Sequence, residues 1–197
     1  MVPIPFRDEV DADRFGSAAF LRIVPADRGD GFLGALFLTN AHGEPVEFTY
    51  SRLEIVQRFL WRQEDLRRHA ARRLAVSLFE VCPRIPAVIL CLADEAPAEL
   101  FANDITVGFP TVRVAEQSAV IGQSANESRE VVEGAVPVQI FWNGSVPGEE
   151  EDARLVVRHL AERGLLLEPF DRALTGLREV YGIAKDADGV VDSDAAA

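Results

Sequence analysis

Residues 32–50 read FLGALFLTNAHGEPVEFTY, and this stretch predicts a β-hairpin that starts a sheet. Residues 32–39 are apolar at both alternating sets of positions, which is typical of a strand covered on both faces. Residues 46–50 alternate between large apolar and polar side chains, which indicates a half-buried strand nearer the edge of the sheet. The segment between the two runs contains Asn, Gly and Pro, so it predicts the connecting loop.

The sequence on either side of the hairpin predicts further strands and a long helical segment. Residues 18–24 form the preceding strand. Residues 87–93 are apolar at every position, which favours a central, parallel strand. Between residues 53 and 81 the apolar side chains recur at intervals of three and four, so we expect an amphipathic helix or a pair of helices. Ser51, with Glu three positions later, is the predicted N-cap.

The second half of the chain predicts two more strands, at residues 111–115 and 136–142, and two helices, at residues 149–163 and 168–181. Residues 122–134 are mostly polar and predict a mobile loop. We therefore expect a single domain of the α/β or α+β class. Its sheet is mixed, with five to six strands, an N-terminal hairpin and helices packed on it.

The expected domain covers residues 18–183 of the 197. Residues 1–17 mix prolines with acidic residues and predict an extended arm. Residues 184–197 are rich in Asp and Ala without periodicity, so they predict an acidic disordered tail.

Composition narrows the expected environment and partners. The net charge of −12 repels phosphate backbones at long range and argues against nucleic-acid binding. No apolar run approaches the ~20 residues that a membrane-spanning helix needs. No secretory signal is recognisable, so the expected location is the cytoplasm. The two cysteines and three histidines match no zinc or redox motif, so no cofactor is expected.

Several carboxylates come where catalytic groups are often found. Asp94 follows the buried strand, and ligands of open α/β sheets gather at the carboxyl ends of strands. Asp27 and Asp30 lie in the turn after the first strand, and Glu150 and Asp152 begin a late helix. Such residues could converge on metal ions, which two-metal phosphoryl cleavage holds ~3.5–4 Å apart. The simpler alternative is that Asp94 caps a helix and that the two turn residues only form the turn.

This order of elements and acids resembles the ribonuclease H-like fold of nucleases such as Holliday-junction resolvases, over about residues 18–163. In that family an acid on the first strand, another at the end of the fourth and one in the last helix hold divalent metal. The resemblance therefore implies a metal-dependent nuclease or hydrolase with a divalent cation as cofactor. Asp27 departs from the pattern, because it comes in the turn after the first strand rather than on the strand.

The helical segment also carries a local basic patch. It could receive an acidic partner segment, a phosphate or RNA, or it could be the solvated face of a helix. The arginines of this patch, all candidates for partner binding, are Arg58, Arg62, Arg67, Arg68, Arg72 and Arg73.

Two functions follow from these signals, and the sequence leaves open whether the protein is an enzyme. The first is a non-catalytic cytosolic protein that acts through protein partners or self-association, as an accessory subunit would. The alternative is the metal-dependent nuclease or hydrolase, acting through the carboxylates above.

Overall fold

The predicted hairpin forms the start of the sheet in the computed structural model, which describes residues 16–26 and 29–183. Its first strand, Gly31–Asn40, is buried at every position, and its second, Pro45–Glu54, lies at the edge of the sheet. Asn40 closes the turn because its Oδ1 accepts hydrogen bonds from the backbone N–H groups of His42 and Glu44, both at 3.0 Å.

Seven strands and three α-helices make up the described part of the chain, which confirms the expected α/β class with a mixed sheet. The strands are β1 (Ser17–Pro25), β2 (Gly31–Asn40), β3 (Pro45–Glu54), β4 (Val88–Leu92), β5 (Thr111–Glu116), β6 (Glu127–Val132) and β7 (Val138–Asn143). The helices are α1 (Gln63–Val81), α2 (Asp152–Glu162) and α3 (Glu168–Tyr181). The predicted tail, and the predicted arm up to residue 15, lie outside the described residues.

The strand order is β3-β2-β1-β4-β5-β7-β6. β1, β4 and β5 are neighbours that run parallel, whereas β2 and β7 run antiparallel to the strands beside them. The carboxyl ends of three adjacent parallel strands therefore meet at one edge of the sheet. β3 runs in the same direction as β1, because each is antiparallel to β2, so β3 ends at that edge too.

Helices cover both faces of the sheet and give the protein two hydrophobic cores. On one face α2 and α3 pack against the sheet, with Phe20, Trp142 and Phe170 among the fully buried side chains. On the other face α1 packs through residues that include Leu74 and Leu78. Among the described residues, no helix is long and apolar enough to cross a membrane.

Three predictions made from the sequence are wrong. The helix expected from residue 53 begins only at Gln63, because β3 continues to Glu54. Ser51 caps no helix, since its place opposite Gly34 in the β2–β3 ladder makes it part of the strand. The polar segment 122–134 contains strand β6, which forms the outer edge of the sheet and pairs with β7. A polar edge strand lacks the alternation that would reveal it in the sequence.

Candidate functional site

A cavity of about 350 Å³ lies at the carboxyl ends of the parallel strands. Its wall includes Arg22 from β1, Asp94 from just beyond β4, Glu116 from the end of β5 and Asp171 from α3. Side chains from three strands and a helix therefore converge there, as expected at this edge of an α/β sheet.

Glu95 lies where β1 extends beyond the last residue that pairs with β4. β4 pairs with β1 only as far as Leu21, so the later residues of β1 have no β4 partner. The carboxylate of Glu95 occupies part of this gap, and its Oε2 accepts a hydrogen bond from the backbone N–H of Ile23 at 3.2 Å. The side chain is only 17% exposed as a result.

Arg22 places a positive charge between two carboxylates. Its Nε lies 2.8 Å from Oε1 of Glu95, and its Nη1 lies 3.8 Å from Oδ1 of Asp171. The arginine side chain is 12% exposed. Although Nε is at ion-pair distance from Glu95, the N–H is not aligned for a hydrogen bond and finds no acceptor among the described residues. This N–H is buried against Glu95 and is not exposed to the cavity, so a ligand there would meet other parts of the guanidinium.

Burial raises the pKa of Glu95 from its ordinary value to about 7. The neighbouring charge of Asp94 also raises this pKa, whereas Arg22 and the Ile23 N–H lower it. At neutral pH both the acid and the carboxylate are therefore populated. That is the condition under which a carboxyl group works as a general acid or base.

A second group of residues lies at the same edge of the sheet. The chain leaves β3 there, and Nη1 of Arg58 donates a hydrogen bond to the Gly29 carbonyl oxygen at 2.9 Å, in the turn that follows β1. Phe59 is 84% exposed, and the ring of Trp61, just before α1, packs against His69 at an angle of 38° with ring centroids 4.8 Å apart. Exposed aromatic rings and arginines thus lie beside the strand ends.

The arginines predicted to bind a partner have different surroundings. Arg68 forms a two-pronged ion pair with Asp104, with Nε 2.7 Å from Oδ2. Arg62 lies 3.4 Å from Asp65, and Arg58 binds the carbonyl described above. The remaining three, Arg67, Arg72 and Arg73, are exposed on α1.

The predicted catalytic carboxylates do not all converge. Asp94 lines the cavity described above. Asp30 lines a different cavity, where its Oδ2 accepts a hydrogen bond from Arg52 at 2.7 Å. Glu150 and Asp152 are exposed around the start of α2.

Asp27 lies outside the described residues. Sequence reasoning missed Arg22, Glu95 and Asp171 as members of the site. One signal for Arg22 was available, because it is the only charged residue in an otherwise apolar strand.

The side chains of this cavity do not fit the divalent cation that the ribonuclease H-like resemblance implies. That resemblance requires an acid on the first strand, and the residue of β1 that faces the cavity is Arg22. Its guanidinium lies between Glu95 and Asp171, where carboxylates would have to meet. Across residues 16–26 and 29–183, no group of three or more His, Cys, Asp or Glu side chains could hold a metal ion.

No family model matches the sequence, and no curated protein matches it. Solved structures, in contrast, do match the chain. Endonuclease V from Streptomyces avermitilis superposes with a TM-score of 0.56 at 15% identity, over 85% of this chain and 82% of that chain. The chain has the fold of endonuclease V. The Bacillus subtilis endonuclease V gives a TM-score of 0.51 at 15% identity, over 88% of this chain and 84% of that chain.

A more distant similarity is found with Marinitoga piezophila Argonaute, solved with guide RNA and target DNA. Its TM-score is 0.34 at 11% identity, over 81% of this chain and 31% of that chain. The two endonuclease V structures, at 15% identity, establish the fold alone.

These structures correct two predictions made from the sequence. The interpretation as a non-catalytic protein that acts through protein partners or self-association is contradicted, because the structures sharing its fold are nucleases. The argument against nucleic acid is contradicted for the same reason. Net charge misled because it is a sum over the whole chain. It does not describe the arginines on α1 or Arg22 in the cavity.

Proposed function

We propose that this protein binds nucleic acid and hydrolyses phosphodiester bonds in it, at the cavity beside Arg22 and Glu95. One observation carries the proposal. A carboxyl group whose pKa lies near neutrality stands next to an arginine that lines the cavity, at the strand ends of an endonuclease V-like sheet.

Each of the two residues has a role that its chemistry suits. Arg22 donates hydrogen bonds to non-bridging phosphate oxygens and stabilises the negative charge that develops on them. Glu95, as the carboxylate, accepts a proton from a water molecule whose oxygen attacks phosphorus. The bond from phosphorus to the leaving oxygen breaks, and that oxygen takes a proton from solvent.

The acids around the cavity do not prevent a phosphate from entering. Asp171 is 84% exposed and Asp94 is also exposed, so water screens their charges. Arg22 is the buried positive charge at this site, and a buried charge acts through a lower effective dielectric constant. Glu95 opposes it with less than a full negative charge, because its pKa of about 7 leaves it partly protonated at neutral pH.

The residues that follow β3, together with α1, form the approach surface in this proposal. Exposed arginines bind the phosphate backbone, and Phe59 and Trp61 offer faces on which unpaired bases stack. β3 ends at the same edge of the sheet as the cavity, so a strand held on this surface would cross that edge, from the face covered by α1, to reach the reacting groups. This surface includes three exposed arginines of α1, Arg67, Arg72 and Arg73.

A cleavage assay tests the proposal. Wild-type protein, Glu95→Gln and the control Glu99→Gln are incubated with end-labelled single-stranded DNA, duplex DNA and RNA. Glu99 is exposed and lies four residues from Glu95, so the control makes the same Glu-to-Gln substitution outside the site. We expect wild type to cleave at least one substrate class. Glu95→Gln should lower that rate by roughly 10²–10⁴-fold, the usual contribution of a general acid or base, and the control should not.

Two results would contradict the proposal. One is the absence of cleavage in all three substrate classes by folded wild-type protein. The other is equal cleavage by wild type and Glu95→Gln, which would place the reacting groups elsewhere.

We also propose that the protein works in the cytoplasm. Cys82 and Cys91 are both free thiols, the state that the reducing cytosol maintains. Fractionation of cells that express the tagged chain tests this location, and recovery in an oxidising compartment would contradict it.

A further inference from the structure

We propose that the guanidinium of Arg22 is a built-in cation that takes the place of a divalent metal ion in this cavity. The cavity then binds a phosphate ligand through Arg22 and binds no metal. This inference deepens the proposed function, and it rests on that function only for the identity of the ligand as a nucleic-acid phosphate.

The guanidinium of Arg22 lies where a metal ion bound by the nearby carboxylates would have to lie. Arg22 stands on β1, beside the end of β4 and opposite α3, and its charge lies between the carboxylates of Glu95 and Asp171. A divalent ion held by those carboxylates would need its oxygen ligands ~2.0–2.6 Å away. The guanidinium occupies that space, and its positive charge repels a second cation.

Arg22 is held by fewer acceptors than Arg113, the other largely buried arginine of a strand. Nε and Nη2 of Arg113 donate hydrogen bonds to the two carboxylate oxygens of Glu127, at 2.7 and 2.8 Å. Further N–H groups of Arg113 donate to the carbonyl oxygens of Ala93 and Gly122. Arg113 thus has several hydrogen-bond acceptors, whereas Arg22 has one close contact, from Nε to Glu95, and lies 3.8 Å from Asp171.

The wall of the cavity explains why one positive charge is needed there. Besides Arg22, the ionisable side chains that line it are Asp94, Glu116 and Asp171, and Glu95 lies against the arginine. Without a cation these carboxylates would repel one another and also an incoming phosphate. Arg22 supplies a permanent charge, because a guanidinium does not lose its proton in proteins.

The inference predicts that an acid at position 22 creates a metal site. In Arg22→Asp the new carboxylate joins Asp94, Glu95 and Asp171, and the blocking charge is gone. Mn²⁺ binding is measured by isothermal titration calorimetry without nucleic acid, for wild type, Arg22→Asp and the control Arg84→Asp. The control makes the same charge change beside a cavity lined, apart from Arg84, by apolar side chains and Cys82.

We expect Arg22→Asp to bind Mn²⁺ at least about tenfold more tightly than wild type and the control, because only it gathers several oxygen ligands. Wild-type binding that weakens in Asp94→Asn or Asp171→Asn would overturn the inference. A folded Arg22→Asp that binds no better than wild type would also overturn it.

A second measurement serves if circular dichroism shows that Arg22→Asp is unfolded. Mn²⁺ is then added to ¹⁵N-labelled wild-type protein, and paramagnetic broadening of amide signals is followed by NMR. Undisturbed signals at residues 22–23 and 94–95 support the inference, and selective broadening there overturns it. Because no substrate is present, these outcomes are distinct from the cleavage result. If the protein cleaves no substrate but Mn²⁺ leaves these signals undisturbed, the proposed function is wrong and the inference about Arg22 still holds.

Discussion

Arg22 and Glu95 are largely buried ionisable side chains at the strand ends, and their charges make this edge of the sheet suited to acid–base chemistry. Arg22 comes from a strand that is otherwise apolar, so the chain accepts a poorly hydrated charge within its core layer. Glu95 shares that environment and also binds the end of the β1 backbone. Burial therefore positions both groups and shifts the equilibrium of the carboxyl group toward the neutral form.

The titration of Glu95 makes stability depend on pH. Its pKa is about 7 in the folded protein and 4.5 ordinarily, so the folded state holds a proton that the unfolded state has lost between these values. This contribution is present below pH 4.5 and is lost as pH rises through 7. At ~1.4 kcal/mol per pKa unit, the loss is on the order of 3 kcal/mol.

Urea unfolding at pH 5 and pH 8, for wild type and Glu95→Gln, measures this effect. We expect wild type to lose more stability than the variant between the two values, because glutamine does not titrate. Equal losses in the two proteins would show that Glu95 keeps an ordinary pKa.

The buried pair Arg113–Glu127 should dominate local stability. The two side chains are 6% and 3% exposed, so Glu127→Gln leaves a buried guanidinium unpaired. We expect a loss of about 3–5 kcal/mol by urea unfolding. The control is Asp30→Asn, which removes a solvent-exposed partner of Arg52 at the same 2.7 Å distance and should lose no more than about 1 kcal/mol. Similar losses for both variants would contradict the role given to burial.

The residues of the site were only partly accessible from sequence. Asp94 could be placed because it ends a wholly apolar run and therefore a buried strand. Its association with Arg22 and Asp171 depends on β1 lying beside β4 and on α3 packing over β1. Sequence spacing does not encode those neighbours.

Among the elements, α1 and the residues leading into it carry the expected contact with nucleic acid. Replacing Arg67, Arg72 and Arg73 with Glu should weaken binding to a labelled oligonucleotide at least about tenfold at moderate salt, because each phosphate contact releases a counterion. Fluorescence anisotropy across a salt series measures the affinity and its slope against salt concentration.

The control for this change replaces Arg84, Arg163 and Arg178 with Glu, which alters the net charge equally on other elements. Its affinity should change less than that of the α1 variant, and the slope against salt should stay closer to wild type. If the two variants behave alike, the effect belongs to the net charge and α1 is not the binding surface.

The β2–β3 ladder depends on the absence of a side chain at Gly31. A Cβ built there would lie 2.0 Å from the Leu53 carbonyl oxygen, so Gly31→Ala must push the two strands apart. We expect a loss of roughly 1–3 kcal/mol in urea unfolding, the usual effect of overpacking. Gly108→Ala, where an added Cβ meets nothing within 4 Å, is the control. A loss as small as that of the control would contradict the close approach of the strands.

Elements were predictable where burial imposes a clear pattern. The hairpin, β4 and the last two helices follow from apolar periodicity. The start of α1 was misplaced because residues after Glu54 are apolar yet exposed, with Phe59 and Leu60 facing solvent. β6 was missed because it is a polar edge strand without clear alternation, although its partner β7 follows closely in the sequence.

The whole molecule places its reactive groups through the order of its strands. Three parallel neighbours end together, α3 covers one face, and α1 begins at the same edge. Two endonuclease V structures share this fold at 15% identity.

We expect the protein to hydrolyse nucleic acid at this edge of the sheet with Arg22, and not a metal ion, as the cation. Cleavage of a labelled oligonucleotide in excess EDTA tests this expectation. We expect wild type to cleave equally fast in EDTA and in Mn²⁺, and folded Arg22→Gln to lose at least about 10²-fold in rate, as when one preorganised donor is removed. Cleavage that EDTA abolishes and Mn²⁺ restores, or that Arg22→Gln leaves unchanged, would contradict this account.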